Sequence, residues 1–457
     1  KELGEVTKII SGHLARSQAI RHDGDWKVAW SEYDPLTGLI SFSRFNVEAE
    51  RMIVGNFAAS HMMLYSDFEG FKYFNQTCGY SVGDQLLKEY SSFFIDKIPP
   101  ESDSFFTRIV SDQFLMLIPY SEREGLLQRL DSLNKEFVQL QTDKFRGAKV
   151  RVRTGVYLIE PGCLGASYAI DAANYARKQI EPHSSVSVRI YDDALRRKQR
   201  LENDIINGIG KAIQEKQFQI YFQPKISMKT GEVSGAEALV RWKTKDGTLL
   251  CPSAFIPLCE SSNRIVDLDY YVFEQVAIFL ARNRQLGRKQ VPISVNASIL
   301  HASDPSAMQK YLNILKKYQV DPKYIEIELT ETATVKEYES AKRWFRELRE
   351  AGIRTAMDDF GAGYSVLNSI IDIPVDTVKL DRAFIQNCEH NPRGNFFLQK
   401  VVDTIRGLGY HVVCEGVETQ KQCDILKDCG CDEAQGYLFA KPMSIEEYER
   451  YVYKINK

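Results

Sequence analysis

Thr355-Ala-Met-Asp358-Asp359-Phe-Gly-Ala-Gly363-Tyr-Ser365 is the stretch whose reading decides how the second half of the chain folds. It closes the apolar run Ile353 to Met357 and leads into a helical pattern at Val366 to Ile371, so it reads as strand, glycine-interrupted loop and helix. Successive strand side chains point to opposite faces, so both aspartates reach one metal cluster only where the strand ends and its backbone curls. Gly361 and Gly363 permit the curl. Alone, the stretch also fits an acidic loop with Asp359 near a helix N-terminus.

The chain around it decides between these readings. Strand candidates are Gln219 to Ile226, Gly235 to Trp242, Pro292 to Asn296, Ile325 to Leu329, Arg354 to Met357, Thr377 to Leu380, His411 to Cys414 and Glu433 to Leu438. Helical runs lie between them, among them Leu268 to Leu286, Met308 to Tyr318, Ser340 to Ala351, Asn395 to Leu408 and Gln420 to Cys429. Strands alternating with helices predict a (β/α)8, TIM-like barrel over residues 211–457. In such a barrel the C-terminal strand ends face one shared pocket. Here those ends carry Glu237, Asn296, Glu328, Asp358, Asp359, Lys379, Glu415 and Gln435. Carboxylates converging on one mouth repel each other unless cations lie among them, and oxygen-only donors suit Mg2+ or Mn2+ better than zinc.

The first half reads as a separate α/β domain, 33–193, preceded by a connector over 1–32. Its landmarks are the turn Asp34-Pro-Leu-Thr-Gly38, a helix from Ser41 to about Val54, and a strand His61 to Tyr65 that ends at Asp67-Phe-Glu-Gly-Phe-Lys72. Asn75, a loop Gly79 to Gly83, a helix starting near Asp84 and a hairpin from Phe105 to Ile118 with Asp112 at its turn follow. Residues 194–210 are charged and uninterrupted by proline, which predicts a helical linker.

Composition narrows the class. At 457 residues two domains are the default, and a net charge of -2 gives no basic field for nucleic acid or a membrane surface. No apolar run reaches the length of a membrane span. Nine scattered cysteines, an odd number, point to a reducing cytoplasm. Cys423, Cys429 and Cys431 crowd together, but three thiols without a histidine at ligand spacing do not make a zinc site. A chain opening at Lys1 reads as the cytoplasmic part of a longer protein whose earlier part holds a sensor or anchor.

Two resemblances carry the functional expectation. Asp34-Pro-Leu-Thr-Gly-Leu, Asp67-Phe-Glu-Gly-Phe-Lys72-Tyr-Phe-Asn75 and Gly79-Tyr-Ser-Val-Gly83-Asp84 resemble the GGDEF diguanylate cyclases, which join two GTP molecules into cyclic di-GMP. The naming turn departs from the family: Val110-Ser111-Asp112-Gln113-Phe114 stands where Gly-Gly-Asp/Glu-Glu-Phe is expected. Val110 and Ser111 put side chains where backbone should approach a phosphate, and the Gln113 amide cannot take a proton as a carboxylate can. The resemblance therefore implies a degenerate cyclase domain without synthesis. Its remaining residues imply GTP as a regulatory ligand: Asp67 and Asp112 for a metal, with Lys72, Asn75 and Asp84 at the nucleotide.

Glu237-Ala-Leu-Val-Arg241, Asn296-Ala-Ser298, Glu328-Leu-Thr-Glu331, Asp358-Asp359-Phe-Gly, Lys379-Leu-Asp381, Glu415-Gly-Val-Glu418 and Gln435-Gly-Tyr resemble the EAL phosphodiesterases, which cleave cyclic di-GMP to linear pGpG. By that resemblance Glu237, Asn296, Glu328 and Asp358 ligate one metal, and Asp358, Asp359 and Glu415 the second, with Asp358 bridging. Lys379 matches the lysine that holds the attacking water, Glu331 the residue that pins the Asp-Asp-Phe-Gly loop, and Glu418 a supporting position. Gln223, Arg241 and Gln435 match positions around the substrate. The resemblance implies a two-metal hydrolase of cyclic di-GMP and a homodimer through the barrel. A non-catalytic cyclic di-GMP receptor and a bifunctional cyclase/phosphodiesterase are the alternatives.

Overall fold

Strand β1 (His61–Phe68) is buried at every position because it runs through the middle of a sheet covered on both faces. The computed structural model describes residues 32–55, 60–97, 103–120, 125–145, 150–331, 337–361, 373–386 and 388–454, and the chain divides into two units after Leu201. Residues 1–31, Gly363, Ser365 and the helical pattern Val366 to Ile371 lie outside the described residues. Among those described, no helix is long and apolar enough to cross a membrane.

In the first unit, β1 is joined by β2 (Phe105–Val110), β3 (Gln113–Pro119), β4 (Val152–Leu158) and β5 (Val188–Ile190) in the order β2-β3-β1-β4-β5. The alternation along β1 sorts its side chains: Met62 and Leu64 pack with Leu86, Tyr90 and Phe137, while Met63 and Tyr65 pack with Phe45, Ala169 and Ala173. Helix Phe42–Val54 starts where the Ser41 hydroxyl accepts the Arg44 N–H. The expected helix from Asp84 begins earlier, at Tyr80 (Tyr80–Lys97), and Asn75 lies on a separate helix, Phe71–Cys78. Gly79, at φ 90°, breaks the two apart. Gly83 is helical, and it is a glycine because a Cβ there would lie 1.9 Å from Asn75 Oδ1. The β2–β3 turn keeps a left-handed residue, but it is Ser111 at φ 52°.

The second unit is a closed barrel. Its strands are β6 (Phe218–Ser227), β7 (Val233–Lys243), with the two-residue β8 (Leu249–Leu250) at its edge, β9 (Ile293–Asn296), β10 (Ile325–Thr330), β11 (Arg354–Phe360), β12 (Thr377–Leu380), β13 (His411–Cys414) and β14 (Glu433–Ala434). β7 and β9 to β14 run parallel, each paired with the next, and β6 closes the ring antiparallel to both β7 and β14. This corrects the regular alternation expected from sequence. β6 returns to β7 through a tight turn in which the Gly231 N–H bonds Ser227 O at 2.8 Å, and a parallel neighbour would need a crossover of about a dozen residues. The last strand is also shorter than Glu433 to Leu438. Gly436 turns away against Val417, where a Cβ would meet the carbonyl oxygen at 2.1 Å.

Helix Asp193–Gln214 runs without a break through the expected linker. Leu195 belongs to the core of the first unit, and Ile205, Ile209 and Ala212 to that of the barrel.

Candidate active site at the barrel mouth

A regular strand would send Asp358 and Asp359 to opposite faces. The register between β11 and β12 shifts between Met357 and Phe360, and Asp359 takes φ 56°. This bulge turns both carboxylates to the same side. Gly361, at φ 93°, lets the chain continue past Phe384, and its N–H donates to Glu331 Oε2 at 2.8 Å. The curl anticipated from the glycines therefore begins two residues earlier, on an aspartate.

Two groups of acids result. Ligand oxygens of Glu237, Glu328 and Asp358 lie within 4.8 Å of one another, as do those of Asp358, Asp359 and Glu415, so Asp358 belongs to both. Asn296, at the end of β9, donates to Glu237 Oε1 at 3.0 Å. Gln435 Nε2 donates to Glu237 Oε2 at 2.7 Å and to Gln223 Oε1 at 3.0 Å, while Gln223 donates to Ala440 O at 3.1 Å. Gln435 Oε1 is buried with no hydrogen bond among the described residues.

Lys379 is the cation at the centre. Its ammonium lies 2.7 Å from Glu328 and Glu415, 3.0 Å from Asp358 and 3.5 Å from Glu237, with its side chain fully buried. Burial opposes its charge, but these four carboxylates raise its pKa well above the usual lysine range. A second lysine, missed in the sequence reading, stands beneath: Lys225 donates to Glu326 and Glu328 at 2.9 Å each. Burial alone would raise the pKa of Glu328, yet Lys225 and Lys379 pull it down to about 2. The other acids have no such share. Burial pushes Glu415 up to about 7 and Asp358 well above the carboxylate range, with Lys379 opposing and neighbouring carboxylates reinforcing the rise. The mouth therefore holds more negative charge than its lysines balance, and these all-oxygen donor groups fit divalent cations.

Two expected residues stand apart. Glu418 is exposed and belongs to neither acid group; its backbone N–H bonds Gln422 Oε1 at 2.7 Å beside the capping box of helix Gln420–Asp428. Arg241 lies four residues beyond Glu237 on the same face of β7, over the Tyr221 ring at 5.6 Å. Lys225 had a signal in Gln223-Pro-Lys225, which puts lysine and glutamine on one face of β6.

In the first unit burial, and after it the charge of Asp67, push the Asp112 carboxyl up, so the two acids lie near each other, each with partners of its own. Asp67 is held by Arg153, at 3.0 and 2.7 Å, and by Arg177. Asp112 instead accepts the Phe68 N–H at 2.9 Å. Gln113 accepts the Tyr65 hydroxyl at 2.7 Å. Lys72 and Asp84 are exposed, and Asn75 Oδ1 is buried without a hydrogen bond among the described residues.

A closed barrel with an acid-lined mouth, one strand antiparallel, is the class of protein that fold and site define. The chain belongs to the EAL domain family, whose model matches residues 206–442, and residues 31–184 match the diguanylate cyclase, GGDEF domain model. It is 27% identical over 398 residues to the signaling protein YkoW of Bacillus subtilis, covering 86% of this chain and 49% of that protein. To the cyclic di-GMP phosphodiesterase NbdA of Pseudomonas aeruginosa it is 28% identical over 431 residues, 92% of this chain and 54% of NbdA. The chain thus spans about half the length of these curated relatives. Among solved structures, the PaMucR phosphodiesterase in complex with c-di-GMP superposes with a TM-score of 0.51 at 28% identity, covering 54% of this chain and 99% of that one.

Proposed function

We propose that this chain is a metal-dependent phosphodiesterase that hydrolyses cyclic di-GMP to linear pGpG. The observation that carries the reading is the pair of acid groups sharing Asp358. Family membership and the named activity of NbdA supply the substrate. Two divalent cations, Mg2+ or Mn2+ by the oxygen-only donors, would be held by Glu237, Asn296, Glu328 and Asp358 and by Asp358, Asp359 and Glu415, and would supply Lewis-acid charge and a water of lowered pKa.

The chain's own residues do the rest. Lys379 holds the attacking water in line with one phosphorus, and its fixed charge offsets what develops on the phosphoryl oxygens. The water oxygen joins phosphorus as one P–O ester bond breaks, the water's proton passing to solvent and the departing ribose oxygen taking one up, which opens the ring to pGpG. Arg241 presents its fork to a phosphate above the acids. Gln435 and Gln223 orient Glu237, and Gln435 Oε1 accepts a donor from substrate or water. Glu331 fixes the Asp358–Asp359 bulge through Gly361.

Glu237→Ala removes a ligand and should abolish hydrolysis; wild-type turnover in that variant would sink the assignment. Binding of cyclic di-GMP without cleavage by the unaltered chain would favour a receptor.

We further assign GTP as the ligand of the first unit, read by Asn75 and Asp84. The unpartnered Asn75 Oδ1 supports this, since guanine's base edge offers N–H donors. Calorimetry with GTP tests it, and no heat of binding would remove it. A homodimer through the barrels completes the proposal. Its support is Phe397, exposed and stacked at 6.0 Å on Phe384, which stacks at 6.4 Å on Phe360 beside the acid pair. Sedimentation showing only monomer at working concentration would contradict it.

A further inference from the structure

We infer that the place of a divalent cation in the first unit is filled by two guanidinium groups, Arg153 and Arg177, so that this unit takes the phosphates of a nucleotide without metal. Arg153 lies directly across from Asp67 in the β1–β4 register and grips its carboxylate with two parallel N–H donors at 3.0 and 2.7 Å. Arg177 reaches the same carboxylate from helix Ala166–Lys178. That helix comes close because β4 carries Gly155, where a Cβ would lie 1.9 Å from Ala173 O and 2.4 Å from Arg177 N. Asn174 Oδ1 accepts two N–H groups of Arg177, at 2.8 and 3.1 Å, and the guanidinium lies 5.0 Å from the Tyr65 ring centroid. The arginine is thus fixed by its neighbours before any ligand arrives.

The consequence is electrostatic. Asp67 has one negative charge and two cations on it, so the group carries net positive charge at a strand end with 23% of Arg153 exposed. A divalent cation approaching Asp67 would meet two fixed like charges and a carboxylate whose oxygens are already engaged. Asp112, the other acid, accepts the Phe68 N–H on its Oδ2. Among the described residues, the clusters of three or more acids whose oxygens converge all belong to the barrel. An anion meets the opposite situation: the two guanidinium charges attract it, and the Arg153 Nη1 edge that does not face Asp67 is the donor a phosphate oxygen would take.

The nucleotide part rests on the reading of GTP as the ligand of this unit, whereas the replacement of the metal does not. The test uses the whole chain. Mn2+ uptake is counted by equilibrium dialysis for the wild type, Asp67→Asn and Asp112→Asn. The expected result is the same number of ions per chain in all three; one ion fewer in either variant overturns the inference. The second aspartate guards against a fold lost with the first. A fluorescent GTP analogue is then titrated in EDTA and in Mg2+. Equal affinity in both, falling ~10-fold or more in Arg153→Gln, is the expected result, that factor being the loss of one charged hydrogen-bonded contact. Binding that needs Mg2+ and vanishes in Asp67→Asn overturns it. Absence of GTP binding in both buffers defeats the nucleotide reading alone, with the Mn2+ count still deciding the fate of the metal place.

Discussion

Replacing Lys379 by methionine keeps the length of the side chain and removes the one ammonium that faces Glu237, Glu328, Asp358 and Glu415 together. Without metal, these buried acids are left with Lys225, itself shared with Glu326. Breaking a buried ion pair by removing one partner costs about 3–5 kcal/mol, and a barrel of this size loses roughly 2–4 °C per kcal/mol. The metal-free variant should therefore melt roughly 6–20 °C below the wild type. Divalent cations supply the missing charge, so saturating Mg2+ or Mn2+ should raise the melting temperature of the variant more than that of the wild type. Hydrolysis should nonetheless stay at least ~100-fold down, because the group that aims the water is gone. The assay is thermal unfolding followed by circular dichroism in EDTA and in Mg2+. Equal melting temperatures in EDTA, or a metal-induced rise no larger in the variant, would refute the reasoning.

Glu331→Ala frees the Gly361 N–H and loosens the Asp358–Asp359 bulge, so kcat should drop ~10-fold or more with KM little changed; steady-state kinetics decide. Ser111→Gly relieves a left-handed serine and should add about 1 kcal/mol in urea unfolding without creating cyclase activity. For His411, burial opposes the charged ring, but Glu433 and Asp432 outweigh it and raise the pKa. Its stabilisation is thus present below about pH 6.5, the unfolded value, and is lost as pH climbs through the folded one. The wild type should exceed His411→Gln by a few tenths to about 1 kcal/mol at pH 6 and converge with it near pH 8, by urea unfolding at each pH.

Much of the barrel was legible because its signals are local. Thr377–Leu380 and His411–Cys414 are short β-prone stretches each followed directly by an acid, Asp381 and Glu415, and they form as strands with those bounds. The antiparallel β6 escaped because each strand reads the same in either direction; only the turn at Gly231 betrays the hairpin. Residues 435–438 keep strand-like character, yet the close approach of Gly436 to Val417 ends the pairing, and a contact so distant in sequence has no local signature. The acids of the mouth could be found from strand ends; for Lys225 the sequence offered only its place on one face with Gln223, since its partners Glu326 and Glu328 come from a strand about a hundred residues away. The same holds for Asp67: an acid at a strand end looks alike whether a cation or two arginines face it, and only the β1–β4 register and the approach of helix Ala166–Lys178 distinguish them. Glu418 shows the converse, a motif position whose carboxylate stands exposed outside the acid groups.

The central claim is tested most directly by chromatography of nucleotides after the purified chain is incubated with cyclic di-GMP and Mg2+ or Mn2+, beside an EDTA control. The account predicts linear pGpG in the presence of metal and none in EDTA. Substrate left intact under both metals, or pGpG formed equally in EDTA, would contradict it.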